Sequence, residues 1–273
     1  MSSNNLRVIY RNLADSATIT SSVTPIGVTA IANLKKDSKS LVCRTLGTSV
    51  TYTVTLATAS IIGGVVLPFC NLTPSATINV TLNTGYTTGN ILSCPYNNLG
   101  MWDWGAIPLG TNSYSYGGGT YGRVWFPQTS CSSLTITITD TANTSGYLDL
   151  SRMVIGAYWS PKYNTSFGMT SGIKDLSSNE RLESGDLISN NGIKFNSINF
   201  DLKWLDPADR SQLTSIIKAN GITKPLFISL FPDNSEDWGK EQAFQIYGKT
   251  PQVSNITHTL FGIYSSQIEI EEI

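Results

Sequence analysis

The sequence predicts a mainly β protein: an N-terminal jelly-roll β-sandwich, followed by a C-terminal β-sandwich with one packed α-helix. Three observations indicate this fold class. Alternating apolar and polar residues fill the first 155 positions, similar runs return after an aromatic-rich loop, and one later stretch carries both helix start and helix stop signals. A chain of 273 residues is long enough to bury two such cores.

The N-terminal domain, residues 1–155, is defined by short strand patterns. TITSSVT, SVTYTVTL, ATINVTLN and SLTITITD each alternate, and in the last one Leu134, Ile136 and Ile138 share one face. GGVVLPFC is apolar on both faces, which indicates a central strand. Many short strands separated by Gly, Pro and Asn are typical of a sandwich or jelly roll.

The second domain, residues 156–273, begins with the loop-like stretch YWSPKYNTSFGMTSG near Gly156. ERLESGDLI and IKFNSINFDLKWL follow, and the Asn190–Gly192 turn between them predicts a β-hairpin. The alternation slips near Asn196–Ser197, which predicts a bulge there. At the C terminus, three glutamates alternate with isoleucines. This predicts a one-sided edge strand whose charges either discourage wrong pairing or meet a basic neighbour in an assembly.

One helix is predicted near residues 207–220, in DPADRSQLTSIIKANG. Asp206 is a suitable N-cap and Pro207 follows at the first helical position, where a missing N–H costs nothing. Leu213, Ile216 and Ile217 form an apolar stripe, and Gly221 can end the helix in a left-handed conformation. The helix is therefore expected to pack on the second sheet.

Composition restricts the classes of partner. Net charge is -1, and only 14% of residues are charged, so there is no basic surplus to attract nucleic acid. No apolar stretch is long enough to span a membrane, and no signal pattern follows Met1. We expect synthesis in a cytoplasm, no membrane insertion, and a surface suited to burial in an assembly or to an extracellular β protein.

No metal or cofactor is expected. The four cysteines, Cys43, Cys70, Cys94 and Cys131, form no CxxC pair, and are expected to be buried free thiols. No Asp-rich calcium loop is present. YGGGTYG lacks the Gly-Lys-Ser/Thr of a phosphate-binding loop, and is expected to be a tight turn before the strand RVWF.

Catalysis is not expected. His258 is the only histidine, and it lies in a strand-like stretch with no nucleophile elbow nearby, which favours a structural role. Paired carboxylates could serve a glycosidase, but Asp103, Asp175, Glu180 and Glu183 are scattered through loops. The sequence therefore predicts a protein that is not an enzyme.

Residues 99–126, LGMWDWGAIPLGTNSYSYGGGTYGRVWF, hold the best candidate contact surface. Tryptophan and tyrosine dominate protein interfaces, and their flat rings can also stack on sugars. Interface or domain packing is the first interpretation and glycan contact the second. The candidate residues are Trp102, Asp103, Trp104, Tyr114, Tyr116 and Tyr121.

Several blocks in order resemble a family of tail-associated proteins of tailed phages and prophages. They are NLADSATITSS, NLKKDSKSLVCRT, GGVVLPFCNL, LGMWDWGAIPLG with YGGGTYGRVWF, YWSPKYNTSFG, LDPADRSQL, KPLFISLFP and the closing YGK…IEIEEI. The resemblance spans nearly the whole chain. It implies a galactose-binding-like N-terminal jelly roll and a C-terminal module similar to those of tail tube and distal tail proteins. It transfers no catalytic residue.

These observations lead to one main function and one alternative. The main expectation is a structural virion protein of a phage tail tip or baseplate, assembling into a ring with symmetry copies and other tail proteins. The alternative is a carbohydrate-binding module of the tail that attaches to host-surface glycan. Both place the protein in the virion after synthesis in the host cytoplasm.

Overall fold

The computed structural model describes residues 5–27, 29–92, 120–232 and 238–273. Within these ranges the protein is mainly β, as predicted, with strands in three sheets and two α-helices. The first nine strands are β1 (Arg7–Ile9), β2 (Thr18–Ser21), β3 (Cys43–Leu46), β4 (Ser49–Cys70), β5 (Thr77–Leu82), β6 (Ile91–Leu92), β7 (Thr120–Thr139), β8 (Tyr147–Leu150) and β9 (Val154–Gly156). The remaining elements are β10 (Thr170–Asp175), β11 (Ser178–Arg181), β12 (Leu187–Asn190), β13 (Lys194–Leu205), α1 (Pro207–Asn220), β14 (Leu226–Ser229), α2 (Trp238–Ala243), β15 (Gln245–Lys249), β16 (Ile256–Leu260) and β17 (Ile263–Glu272).

The jelly-roll sheet is built around two long antiparallel strands, β4 and β7. Its order is β3-β8-β4-β7-β5-β6, and β2 and β9 also pair with β4. The register between β4 and β7 shifts at three places, and such bulges bend strands. One half of the β4–β7 pair therefore joins β2 and β5 while the other half joins β9, and the two halves enclose the larger apolar core.

The predicted central strand is confirmed, and it is longer than expected. GGVVLPFC forms the end of β4, where every residue from Ile62 to Cys70 is buried. Residues 133–139 of SLTITITD form the end of β7, which begins at Thr120 and includes the predicted strand RVWF. Cys43, Cys70 and Cys131 are buried free thiols, as expected, and Cys94 lies outside the described residues.

The C-terminal sheet has the order β1-β14-β15-β17-β13-β10, and β16 pairs with β17. Its first strand comes from the N terminus, because Arg7–Ile9 pairs with β14. A division of the chain at residue 155 therefore does not follow the sheets at the N-terminal end. Pairing between strands that are distant in sequence leaves no local signal. The place of β1 in the C-terminal sheet was therefore not predicted.

The predicted helix is confirmed as α1. The Asp206 carboxylate accepts a hydrogen bond from the Asp209 backbone N–H at 2.8 Å, and Gly221 ends the helix with a φ of 53°. Leu213 and Ile216 are buried in a second apolar core between α1 and the C-terminal sheet. Both ends of α1 were therefore predicted correctly from the residues next to them.

The predicted hairpin at Asn190–Gly192 is wrong. Strands β12 and β13 flank this turn but do not pair with each other. Instead, β12 pairs with β11 in a separate two-stranded sheet, around a turn at Gly185, while β13 pairs with β10 and β17. Long-range pairing of β13 therefore overrides the local preference of the Asn-Gly turn.

Two further details of the second domain differ from the prediction. The bulge in β13 lies between Leu202 and Leu205, not at Asn196–Ser197. The C-terminal strand β17 is not an edge strand, since it pairs with β13, β15 and β16. Its face buries Ile268, Ile270 and also Glu272, whereas Glu269 and Glu271 lie on the opposite face. The carboxylate of Glu272 therefore points toward the interior.

Candidate functional site

The predicted aromatic surface lies almost entirely outside the described residues. This holds for Trp102, Asp103, Trp104, Tyr114 and Tyr116, which stay predictions. Tyr121 is described, and only 3% of its surface is exposed. It is therefore removed from the candidate glycan surface, because its contacts are made inside the chain.

Tyr121 belongs to an aromatic cluster between the two sheets. Its ring packs against Phe69, with centroids 5.5 Å apart, and against Phe227 at 6.0 Å. Its hydroxyl donates to Glu272 Oε1 at 2.7 Å, and burial raises the pKa of this phenol well above its usual value. We call this the junction cluster: Ile9, Val66, Phe69, Tyr121, Trp125, Val154, Phe227 and Tyr247.

Ion pairs surround the junction cluster and hold the two sheets together. Lys39 Nζ lies 2.9 Å from Glu272 Oε2, and Arg123 forms a two-pronged contact with Glu241 at 2.6 and 2.7 Å. A third group is centred on Arg152, whose guanidinium donates to the Tyr247 hydroxyl at 2.9 Å. The junction is therefore a structural element, and its charges are already used in holding the sheets.

The candidate catalytic groups are not assembled. His258 is exposed on β16 and stacks on the Tyr264 ring, with centroids 4.7 Å apart. Asp175, Glu180 and Glu183 are exposed, and Asp175 lies 3.3 Å from Lys194 Nζ. Among the described residues no group of three metal-binding side chains occurs. In that same part of the chain, no helix is long and apolar enough to cross a membrane.

A large open groove lies on the outer face of the C-terminal sheet. It is formed by β13, β16 and β17 together with the segment before β16, and has a volume of about 710 Å³. This face is the one opposite the buried isoleucines of β17, so the groove floor consists of outward-pointing strand residues. We call it the outer-face groove.

The β13 bulge places an indole in the outer-face groove. Leu202 and Leu205 are both buried although they are three residues apart, which leaves Lys203 and Trp204 exposed between them. The Trp204 side chain is 55% exposed. A bulge commonly turns a side chain away from the regular alternation, and here it supplies the groove with a flat apolar surface.

Polar side chains line the rest of the outer-face groove. Gln267 Nε2 donates to Asn199 Oδ1 at 3.4 Å, a long contact that leaves both amides with unused hydrogen-bonding capacity. Threonine and serine hydroxyls of β16 and β17 add further donors and acceptors: Thr257, Thr259 and Ser265.

The charged groups of the groove are paired with each other. Lys203 Nζ lies 3.8 Å from Asp201 Oδ2, and Lys174 Nζ lies 2.6 Å from Glu269 Oε1 and also contacts Glu271. The hydrogen bonds that Lys174 donates to these two glutamates raise its pKa. The groove therefore offers one aromatic face and many neutral polar groups, with little unbalanced charge.

The outer-face groove was not predicted from the sequence. One signal was available: in IKFNSINFDLKWL the adjacent Lys203 and Trp204 interrupt the alternation just after Leu202. Two consecutive exposed positions in a strand indicate a bulge, and a tryptophan at such a position is a candidate contact residue. The partners from β16 and β17 could not be found this way, because they are distant in sequence.

No family model and no curated protein matches this chain. Among solved structures, it is similar to CpGH89CBM32-5 from Clostridium perfringens, in complex with GalNAc-β-1,3-galactose (10% identity, TM-score 0.37, 54% of this chain and 100% of that chain). It is also similar to the family 32 CBM from C. perfringens NanJ in complex with galactose (11% identity, TM-score 0.36, 54% of this chain and 98% of that chain).

A third similar structure is the Ruminococcus gnavus GH29 fucosidase E1_10125 in complex with fucose (13% identity, TM-score 0.37). The match covers 57% of this chain and 28% of the fucosidase chain. All three TM-scores lie below 0.5, so these similarities carry no functional argument. The fold class rests on the strand order and the buried cores of the chain itself.

Proposed function

We propose that this protein is a non-enzymatic carbohydrate-binding protein, and that the outer-face groove holds a segment of a neutral glycan. The observation that carries the proposal is the exposed Trp204 indole beside a row of amide and hydroxyl side chains in one open groove. A sugar ring has an apolar C–H face and a rim of hydroxyl groups. It therefore needs a flat apolar surface and several polar partners together.

The shape and charge of the groove narrow the class of glycan. A volume of about 710 Å³ lies within the range of ligand-binding clefts, and the groove is open along the sheet, so it suits a short oligosaccharide. The Asp201–Lys203 and Lys174–Glu269 pairs leave little net charge to attract a polyanion. A neutral oligosaccharide fits these features better than a sulfated or phosphorylated one.

Replacing Trp204 by alanine is expected to weaken glycan binding by about 30-fold, because a stacked aromatic anchor contributes about 2 kcal/mol or more. A glycan array of neutral and acidic oligosaccharides identifies the ligand, and calorimetric titration then measures the affinities of the wild type and the variant. Phe261→Ala is the matched control, since Phe261 is fully exposed and lies outside the groove lining. A wild type that binds no neutral glycan, or equal affinities for wild type and Trp204→Ala, contradicts the proposal.

Our second candidate is a structural protein of a phage tail tip or baseplate, in contact with symmetry copies and other tail proteins. The observation that favours it is a row of exposed apolar side chains between residues 173 and 193, which an assembly would cover. The two candidates are compatible, since a tail protein that binds glycan can attach the particle to a host surface.

Purified phage particles test the tail candidate. We expect mass spectrometry to detect this chain in the particles, and antibody–gold labelling to place it at the tail end opposite the head. Mass spectrometry also detects copies whose epitopes are buried in the particle. A chain that is present in the lysate and absent from purified particles contradicts a structural role in the tail.

A further inference from the structure

A second cavity lies behind the outer-face groove, on the inner side of the C-terminal sheet. It has a volume of about 40 Å³ and lies between α1 and the buried face of the sheet. Its walls are mainly apolar and include Phe200, Leu213, Ile216 and Ile268, each at most 7% exposed. About 10–15 Å³ of such volume accommodates one water-sized group, so this space accommodates about three. We call it the inner cavity.

The C-terminal sheet has a gap between the inner cavity and the outer-face groove. Strand β16 pairs with β17 up to Ser266, and β15 pairs with β17 from Glu271 onward. On this side of β17, residues 267–270 have no strand partner in the described part of the chain. Residues 250–255, which connect β15 to β16, cross the gap. The two spaces are therefore separated here by a connecting segment and not by a paired strand.

The inner cavity and the outer-face groove meet at this connecting segment. Leu202, Val253 and Ser254 line both spaces. Val253 is 54% exposed, so its side chain has few packing contacts to lose when it rotates. A group attached to a ligand in the groove can therefore reach the inner cavity past Val253.

We propose that the glycan in the outer-face groove carries a hydrocarbon substituent of about three carbon atoms, and that this substituent occupies the inner cavity. Burial of hydrocarbon is favourable, whereas a sugar hydroxyl in an apolar cavity would lose its hydrogen bonds to water. The sugar rings therefore stay in the groove beside its amide and hydroxyl groups. An alkyl aglycone and an O-acyl ester both present such a hydrocarbon group. The substituent belongs to the ligand of the same groove, so this proposal rests on the proposed function.

Calorimetric titration of the full-length chain tests the proposal with two pairs of compounds made from the glycan that binds on the array. One pair is its methyl and n-propyl glycosides, and the other is its acetyl and butanoyl mono-esters. The members of each pair differ by two CH₂ groups, and each buried CH₂ group is worth about fourfold in affinity. We therefore expect the longer member of one pair to bind about tenfold more tightly than the shorter member. A gain in the glycoside pair identifies an alkyl aglycone, and a gain in the ester pair identifies an acyl substituent.

Two tryptophan variants show whether this gain arises in the inner cavity. Val253→Trp should remove the tenfold gain, because an indole closes the passage, and comparison of the two compounds within one variant cancels any effect on the groove itself. Ile222→Trp is the matched control and should keep the gain, since Ile222 is 51% exposed and lines neither space. Both substituted positions are exposed, so thermal unfolding monitored by circular dichroism should be the same for the two variants.

Failure of this proposal and failure of the proposed function give different results. A wild type that binds both members of each pair with equal affinity overturns the hydrocarbon substituent and leaves glycan binding in place. A wild type that binds no glycan on the array overturns both. A Val253→Trp variant that keeps the full gain also overturns the role of the inner cavity.

Discussion

Replacing Arg123 by methionine is expected to lower the free energy of unfolding by about 3–5 kcal/mol. The Arg123 side chain is 8% exposed and that of Glu241 is 0% exposed, with two parallel contacts between guanidinium and carboxylate. Removing the guanidinium leaves the Glu241 carboxylate buried with its main cationic partner missing. Urea unfolding followed by circular dichroism measures the change.

Two further variants show whether the loss comes from the unpaired charge. In the double variant R123M/E241L neither charge is buried alone, so its destabilisation should be clearly smaller than the sum of the two single effects. Arg181→Met is the matched control, because Arg181 is exposed on β11, and surface substitutions usually change stability by less than about 0.5 kcal/mol. Additive single effects would show that the pair is not coupled.

Replacing Gly248 by alanine is expected to destabilise the C-terminal sheet by about 3 kcal/mol or more, or to prevent folding. Gly248 lies in β15 opposite Glu272 of β17. A Cβ atom at this position would lie 2.0 Å from the carbonyl oxygen of Glu271. Because the clash is with backbone, relief requires β15 and β17 to separate. Thermal unfolding, together with the yield of soluble protein, measures the effect.

Gly172→Ala is the control for this substitution. Gly172 also lies in a strand, β10, but a Cβ atom there would meet no atom within 4 Å. The thermal unfolding midpoint of Gly172→Ala should therefore match that of the wild type. If Gly248→Ala is as stable as Gly172→Ala, the close approach of β15 and β17 is not required for folding.

The sequence predicted those features that depend on neighbouring residues. The ends of α1 followed from Asp206, Pro207 and Gly221, since capping acts within one turn of helix. The alternation in SLTITITD and the continuous apolar run in GGVVLPFC predicted how each strand is buried. These patterns report whether one face or both faces of a strand are covered, whatever the partner strand is.

The wrong predictions concern which strands pair with each other. The terminal EIEEI strand was expected at an edge, but β17 pairs with three strands, and Glu272 accepts from Tyr121 and Asn196 inside the protein. A glutamate in an alternating strand gives no sign of being buried, because its partners come from distant parts of the chain. The same reason explains why Asn190–Gly192 did not make the predicted hairpin.

By itself, the sequence determined the fold class, most of the strand segments and the single long helix among the described residues, because short-range periodicity and capping encode them. Only the tertiary structure decided that Arg7–Ile9 joins the C-terminal sheet, that the Arg123–Glu241 pair is buried, and that Trp204 meets polar groups of β16 and β17 in one groove. Each of these depends on residues far apart in the chain meeting in space, which no local pattern specifies.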